Sequence, residues 1–329
     1  MQICYVVTSG DKDPFADMAF ISAKAVRRLH PKARIILLLD EETDRSLRRR
    51  KSPLIELADQ YTVVATDYRG AVASRYVKTQ QRQLIEGPYL FMDVDAIPIR
   101  SLSGLFETTS IFAAVLDKNP FRPYEEVPTA VRDYFQEMEW EMPAVPYINS
   151  GVMYWSDRPE SYRIGEEWHE RWHAMYKRTG THTDQTAMLS ALLEVNAPVE
   201  VLSPGYNLLV GMPLELPLMG VRENIAARRQ IVREAHVWHF AGVNAQRGTV
   251  LHKMVDHLRS TSEVNFDLLD RAVASGDPWA NSMPTNLAED PSAAIERLLL
   301  LGDRFAALRL WMRFKVGRLL QRRSLSTTH

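Results

Sequence analysis

The sequence predicts an α/β fold, a mostly parallel sheet with flanking helices, followed by a C-terminal helical tail. Three observations carry this expectation. Apolar runs alternate with stretches of helical periodicity through the first half, the pattern of a parallel sheet. The short run Tyr89-Leu-Phe-Met92, bounded by Pro88, reads as a buried strand. After a stretch rich in Gly, Pro, Asn and Ser over 274–290, helical periodicity resumes near Pro291-Ser292.

Each element follows in order. Residues 3–8 are a β-rich run, with Ser9-Gly10-Asp11 as the turn that ends it, and 15–29 carry apolar residues at helical spacing. Residues 34–40 and 61–65 read as strands. A helix over 73–85 bears a basic face of Arg75, Lys78 and Arg82, and the 89–92 strand comes next. The second half is more irregular. Strands are expected at 111–116, at 147–155 (interrupted by Asn149-Ser150-Gly151) and at 237–240, with helices over 127–138, 160–176 and 184–193. The expected organisation is a main domain over 1–265, a linker over 266–290 and the tail over 291–329.

Composition excludes several classes. A chain of 329 residues buries one large core or two modest ones. The formal charge is −1 and no basic stripe crosses the main body, so nucleic acid is not an expected partner. The single cysteine, Cys4, cannot form an internal disulfide, and no secretory signal is read at the N-terminus. No apolar run approaches the roughly 18 residues that span a bilayer. A cytoplasmic, non-spanning protein is expected.

The chemistry starts at Asp93-Val94-Asp95. Beyond a strand end the two acids point the same way, because side chains alternate with period two. Such a pair repels itself unless a cation lies between, and its oxygens suit Mn²⁺ or Mg²⁺, which in turn hold a diphosphate. An acidic turn after a strand is the plainer reading of the same residues. In parallel α/β sheets ligands bind beyond the carboxyl ends of strands, where both this pair and the turn at 9–13 fall.

Four motifs in order resemble the nucleotide-sugar glycosyltransferases of the GT-A fold, a Rossmann-like architecture, and in particular the retaining family-eight type. They are Tyr89-Leu-Phe-Met-Asp93-Val94-Asp95, Ile148-Asn149-Ser150-Gly151-Val152, Asp184-Gln185, and Trp238-His239-Phe240-Ala-Gly242, and the likeness covers about residues 1 to 250. The resemblance implies a divalent ion on Asp93, Asp95 and His239, and a nucleotide diphosphate sugar, a UDP-sugar, as donor. The acceptor would be a glycan or glycolipid. It makes Asn149 a contact to donor sugar or acceptor hydroxyls and Asp184 an acceptor of sugar hydroxyls. Gln185 would lie beneath the anomeric carbon, as a retaining mechanism needs. Val94, Ser150, Gly151 and Gly242 belong to the donor site by the same motifs, and Arg75 and Lys78 to donor contacts from the preceding helix. Thr8, Ser9 and Asp11, with Phe15, stand where the family cradles base and ribose.

Read from the residues alone, other roles remain open. Gly151 marks a ligand, a close backbone or a β-bulge. Asp184 equally caps a helix, and Arg75 and Lys78 equally form a solvated face. The chain departs from the family at Ala245, where a diphosphate-binding lysine is usual; Arg247 is the nearby charge that would replace it. That departure supports an alternative, a non-catalytic nucleotide-sugar-binding or interaction protein on the same scaffold.

Two further features compete for function. His169-Glu170-Arg-Trp-His173 is a literal H-E-x-x-H on a helical segment, the spacing of a zinc hydrolase. In the tail, no acid follows Asp303, while Arg304, Arg309, Arg313, Lys315, Arg318, Arg322 and Arg323 do. Phe305, Leu308, Met312, Val316 and Leu319 line one face. A basic amphipathic helix of this kind reads as a peripheral membrane contact over 303–329, or as a helix docked on a protein.

Overall fold

The computed structural model describes residues 1–119, 127–142, 147–212, 221–244 and 248–279, together with 305, 307–309, 311 and 312. The chain opens with β1 (Gln2–Val7), α1 (Phe15–Leu29), β2 (Arg34–Asp40), α2 (Glu41–Arg49), α3 (Pro53–Leu57) and β3 (Gln60–Val64). Next come α4 (Gly70–Thr79), α5 (Gln81–Leu84), β4 (Tyr89–Met92), β5 (Ala96–Pro98) and β6 (Phe112–Leu116). The second half holds α6 (Thr129–Glu137), β7 (Ile148–Trp155), α7 (Pro159–Thr179), α8 (Gln185–Glu194), β8 (Val199–Val201) and β9 (Leu208–Leu209). It closes with α9 (Val221–Glu234), β10 (Val237–His239), α10 (Val250–Thr261) and α11 (Phe266–Ser275).

Seven strands form the main sheet in the order β3-β2-β1-β4-β7-β6-β8. The first four run parallel, β7 is antiparallel to both its neighbours, and β8 is parallel to β6. The expected mostly parallel α/β sheet is therefore present. Alternation sends Ile3, Tyr5 and Val7 of β1 into the core beneath α1, and Cys4 and Val6 into the opposite core beneath α7 and α8. A strand covered on both faces has to be apolar at every position, which is why these runs lack polar alternation. Each fully buried aliphatic side chain there contributes about 1.5–3 kcal/mol. β4 lies at the centre, between β1 and β7, so whatever follows Met92 emerges at the middle of the sheet edge.

A second sheet, in the order β5-β10-β9, was not foreseen in the sequence. Its strands have two or three residues, too short for a periodic signal, and β5 is the direct continuation of the Asp-x-Asp turn.

Three expectations change. The basic helix over 73–85 is two helices, broken at Gln80. Its basic face is not solvated: Lys78 is 2% exposed and Arg82 is fully buried. The Arg82 guanidinium lies 3.9 Å from the Tyr162 ring centre and donates to Gly87 O. Gly165 permits that packing, because a Cβ there would stand 2.5 Å from Arg82 Cβ. The linker expected over 266–290 opens with α11, which is capped by the Asn265 side chain and buries Leu269 and Ala272 in the core. Residues 280–290 and most of the tail lie outside the described residues. The few tail positions described are helical, with Phe305, Leu308, Trp311 and Met312 exposed and Ala307 buried.

Candidate active site

Backbone pairing brings the first motif onto the fourth. Asp93 N–H donates to Gly151 O of β7 at 2.8 Å, and Asp93 O accepts from Ala96 N–H at 3.0 Å, closing a turn around half-buried Val94. β5 then pairs antiparallel with β10, placing Ala96 opposite His239, and Phe240 N–H donates to Asp95 O at 3.0 Å. His239 Nε2 consequently lies 3.2 Å from Asp95 Oδ1 and 3.8 Å from Asp93 Oδ2. Among the described residues this trio is the only group of three or more His, Cys, Asp or Glu side chains arranged to hold a metal, its ligand atoms within 4.8 Å of one another.

The remaining atoms of the trio are held in place. Asn244 Nδ2 donates to Asp95 Oδ2 at 2.8 Å, which turns Oδ1 toward His239. His239 Nδ1 lies 2.8 Å from Asn207 Oδ1, Asn207 Nδ2 donates to Asn149 Oδ1 at 2.8 Å, and Asn149 Nδ2 donates to Asp117 Oδ1 at 2.8 Å. Gly151 N–H also donates to Asn149 Oδ1 at 2.8 Å. A Cβ on Gly151 would stand 2.2 Å from His239 Cε1, so the close approach inferred from this glycine is that of the imidazole. Opposite β6, residues Asn149 to Val152 stand against the single Val115, since Ala114 pairs with Met153 and Leu116 with Ile148. The Asn-Ser-Gly segment is thus a bulge in β7 as well as a cradle for His239.

A basic side faces the acids. Lys78 Nζ donates to Asp93 Oδ1 at 3.1 Å, to Ser150 Oγ at 3.2 Å and to Asp184 Oδ2 at 3.2 Å. Arg75 Nε lies 3.6 Å from Asp184 Oδ1, and Ser150 Oγ donates to Asp184 Oδ2 at 3.0 Å. Asp184 makes no side-chain cap for α8; its carboxylate turns toward these cations instead. Burial would raise the Asp184 carboxyl, but the Lys78 ammonium and Arg75 guanidinium outweigh it and hold it at about 2. Gln185 Nε2 donates to Ile148 O at 2.7 Å, and among the described residues its Oε1 accepts no hydrogen bond.

Charge explains the opposite shifts in the trio. Burial raises the Asp95 carboxyl, yet His239 and the Asn244 amide bring it below the usual carboxylate range. Burial lowers the His239 imidazole, but Asp95 and Asp93 overcome that and raise it. Three carboxylates (Asp93, Asp95, Asp184) face the basic side chains of Lys78 and Arg75, so one further positive charge balances them. A proton on His239 supplies it; a divalent cation on hard carboxylate oxygens and one imidazole supplies it with charge to spare for an anionic ligand. These residues therefore fit a divalent metal.

The other candidates divide. Ser9 is buried and its Oγ donates to Asp13 Oδ1 at 2.6 Å, while Gly10 and Phe15 backbone N–H groups also donate to Asp13. Asp11 turns away to Ser46 and Arg49 of α2, and Thr8 is half-buried at the end of β1. A hollow of about 320 Å³ is lined by Gly10, Asp11, Glu42, Arg45, Ser46, Arg49 and Arg69. Gly242 takes a left-handed φ of +72° in the turn that brings Asn244 back to Asp95. Ala245, Gln246 and Arg247 lie outside the described residues. The H-E-x-x-H helix builds no zinc site: His169 Nδ1 pairs with Thr79 Oγ1 at 2.8 Å and His173 Nε2 with the Tyr68 hydroxyl at 3.0 Å, each engaged separately between α7 and its neighbours.

Asn207, Asn244, Asp117 and Asp13 are site or near-site residues that sequence reasoning missed. An asparagine after Pro204-Gly205 reads as turn punctuation, and only the folded register shows it under His239. Asn244 had a usable signal, lying two residues beyond the glycine of the fourth motif.

The architecture has solved counterparts. The WbbM bifunctional glycosyltransferase matches 84% of this chain over 51% of its own, at 15% identity and a TM-score of 0.52. The chain has a glycosyltransferase fold. The galactosyltransferase LgtC, solved with donor and acceptor sugar analogues, aligns over 82% of this chain and 99% of its own at 14% identity and a TM-score of 0.49. No protein-family model and no curated protein sequence matches the chain. In this glycosyltransferase fold the Asp93, Asp95 and His239 cluster occupies the carboxyl end of the central strand β4 and the edge of the small sheet.

Proposed function

We propose that the protein is a metal-dependent glycosyltransferase that moves a sugar from a nucleotide diphosphate donor, a UDP-sugar, to a glycan or glycolipid acceptor with retention of configuration. The observation that carries this reading is the convergence of Asp93, Asp95 and His239 beside the Lys78–Asp184–Arg75 cluster. Mn²⁺ or Mg²⁺ held by the trio would offset the charge that collects on a departing diphosphate. Lys78 and Arg75 add fixed positive charge on the same side, aligned in advance by Asp184. Gln185, with Nε2 tied to Ile148 O, presents Oε1 as the polar group for the face of the anomeric carbon opposite the leaving group. Asp184, held ionised, accepts from sugar hydroxyls, and Asn149 contributes chiefly by holding Asn207. Thr8, Ser9 and the adjoining hollow at the ends of β1 and β2 receive base and ribose, Val94, Ser150 and Gly242 line the donor, Gly151 serves it by making room for His239, and Arg247 stands in for the missing lysine at Ala245.

The tail, in this reading, holds the enzyme on an anionic lipid surface, which suits a lipid-borne acceptor. The argument is charge complementarity: seven basic residues and no acid follow Asp303. No helix among the described residues is long and apolar enough to cross a membrane.

The test is Mn²⁺-dependent hydrolysis of a panel of sugar nucleotides. One donor is expected to turn over, with loss of at least about a hundredfold in Asp95→Asn, a change that removes a ligand charge while keeping its shape. Tight binding of a donor with no turnover of any would overturn the catalytic reading in favour of a binding scaffold.

A further inference from the structure

We infer that Asn207 is a positioning residue for metal binding: anchored by Asn149, it fixes His239 as the Nδ1–H tautomer and aims the Nε2 lone pair at the space between Asp93 and Asp95. The inference rests on the metal reading above and deepens it.

The direction of every bond in this chain follows from one unambiguous donor. Gly151 N–H can only donate, so the Asn149 atom it meets at 2.8 Å is the carbonyl oxygen. The other end of that amide, Nδ2, then meets the Asp117 carboxylate, which accepts as required. Because Asn149 Oδ1 is an acceptor, Asn207 must turn Nδ2 toward it, and its own Oδ1 is left facing His239 Nδ1. An acceptor at that point demands a proton on Nδ1, and Nε2 is then the nitrogen free to ligate. No amide in the relay can flip without setting two donors or two acceptors against each other in a buried site. Asn207 is 1% exposed and Asn149 is 7% exposed, so water is poorly placed to repair such a mismatch. Metal-binding histidines generally need a partner on the second nitrogen, and loss of that partner typically weakens metal binding about 10–100-fold.

A structural role and a positioning role predict opposite orders in two variants. Asn207→Leu keeps the branched shape but offers no acceptor; Asn207→Asp keeps an acceptor against Nδ1 while burying a charge and setting an oxygen against Asn149 Oδ1, so a purely structural role makes it the more damaging of the two. Mn²⁺ titration of the metal-free protein, followed by electron paramagnetic resonance with folding checked by circular dichroism, reads the difference without any substrate. The expected result is a dissociation constant raised about 10–100-fold in Asn207→Leu and not raised in Asn207→Asp. Wild-type affinity in Asn207→Leu overturns the inference, and so does an Asn207→Asp protein that folds but binds Mn²⁺ tenfold more weakly than wild type, even where Asn207→Leu fails to fold. A wild-type protein that binds no Mn²⁺ overturns the metal reading itself, and the relay's role with it; that outcome is distinguishable because it appears before any substitution is made.

Discussion

Gly151 and His239 share one volume, and that exclusion makes a residue-scale prediction. An alanine methyl at 151 would stand 2.2 Å from Cε1 and 2.7 Å from Nδ1 of His239, well inside contact distance. Gly151 N–H is bonded to Asn149 and its carbonyl to Asp93, so the backbone is poorly placed to retreat. The ring has to yield, which breaks the bond to Asn207 and moves Nε2 away from Asp95. Gly151→Ala is therefore expected to lower stability by about 1–3 kcal/mol, the usual cost of overpacking, and to weaken Mn²⁺ binding at least tenfold. Chemical denaturation and a Mn²⁺ titration on the same preparation check both parts. An alanine variant with wild-type metal affinity would show that the imidazole is not confined by β7. The grouping of Asp93, Asp95 and His239 was legible through the resemblance of their motifs to a known family, because such motifs have to carry particular chemical groups. Asn207 and Asn244 were not, because an amide that serves a ligand is defined by where the fold brings it rather than by local spacing.

At the scale of elements, the two histidines of the H-E-x-x-H segment act where α7 crosses α4. The His169 ring meets Tyr76 at 5.2 Å between centres and takes Thr79 as partner, while His173 meets the Tyr68 hydroxyl. Burial lowers the His169 imidazole to about 4, with the neighbouring His173 acting in the same direction. Between about pH 6.5 and 4 the unfolded chain therefore binds a proton at this site that the folded chain refuses. Stability from this group is fully present above pH 6.5 and is lost as pH falls toward 4. The loss is on the order of 1–2 kcal/mol once partial solvent screening is allowed for. Thermal melts at pH 7 and pH 4.5 should show that much of the acid sensitivity removed in His169→Gln. An unchanged pH dependence in the variant would assign the sensitivity to other groups. Element type was readable wherever the pattern was long: α7 announces itself by period, and the strands buried on both faces by their unbroken apolar runs. Where tertiary contact decides, the sequence left the reading open, as with Lys78 and Arg82, which read equally as a solvated face and are buried in the fold. α11 is a different case: Phe266, Leu269 and Val273 carry a helical spacing that the linker expectation passed over, and Leu269 and Ala272 are buried in the core.

For the molecule as a whole, charge is unevenly divided along the chain. The formal charge is −1, yet the residues after Asp303 carry seven basic groups and no acid, which leaves −8 on residues 1–303 at pH 7 with histidine neutral. An anionic membrane would repel that body and attract the tail. Each basic residue near such a surface contributes about 1 kcal/mol, and burial of Phe305, Leu308, Trp311 and Met312, all exposed here, adds an apolar component. The metal trio and the Lys78–Asp184–Arg75 cluster are built from residues 75–239, and the proposed donor site adds nothing beyond Arg247, so recruitment and chemistry are separable. Deleting 303–329 is expected to abolish co-sedimentation with vesicles containing anionic lipid and to leave donor hydrolysis in free solution within about twofold of the full chain. Binding by the full chain should weaken steeply as salt is raised, because screening acts on the electrostatic part first. Equal vesicle binding by the truncated protein would remove the tail from this role. Binding by the full chain that ignores both salt and lipid charge would show that apolar insertion rather than charge holds it.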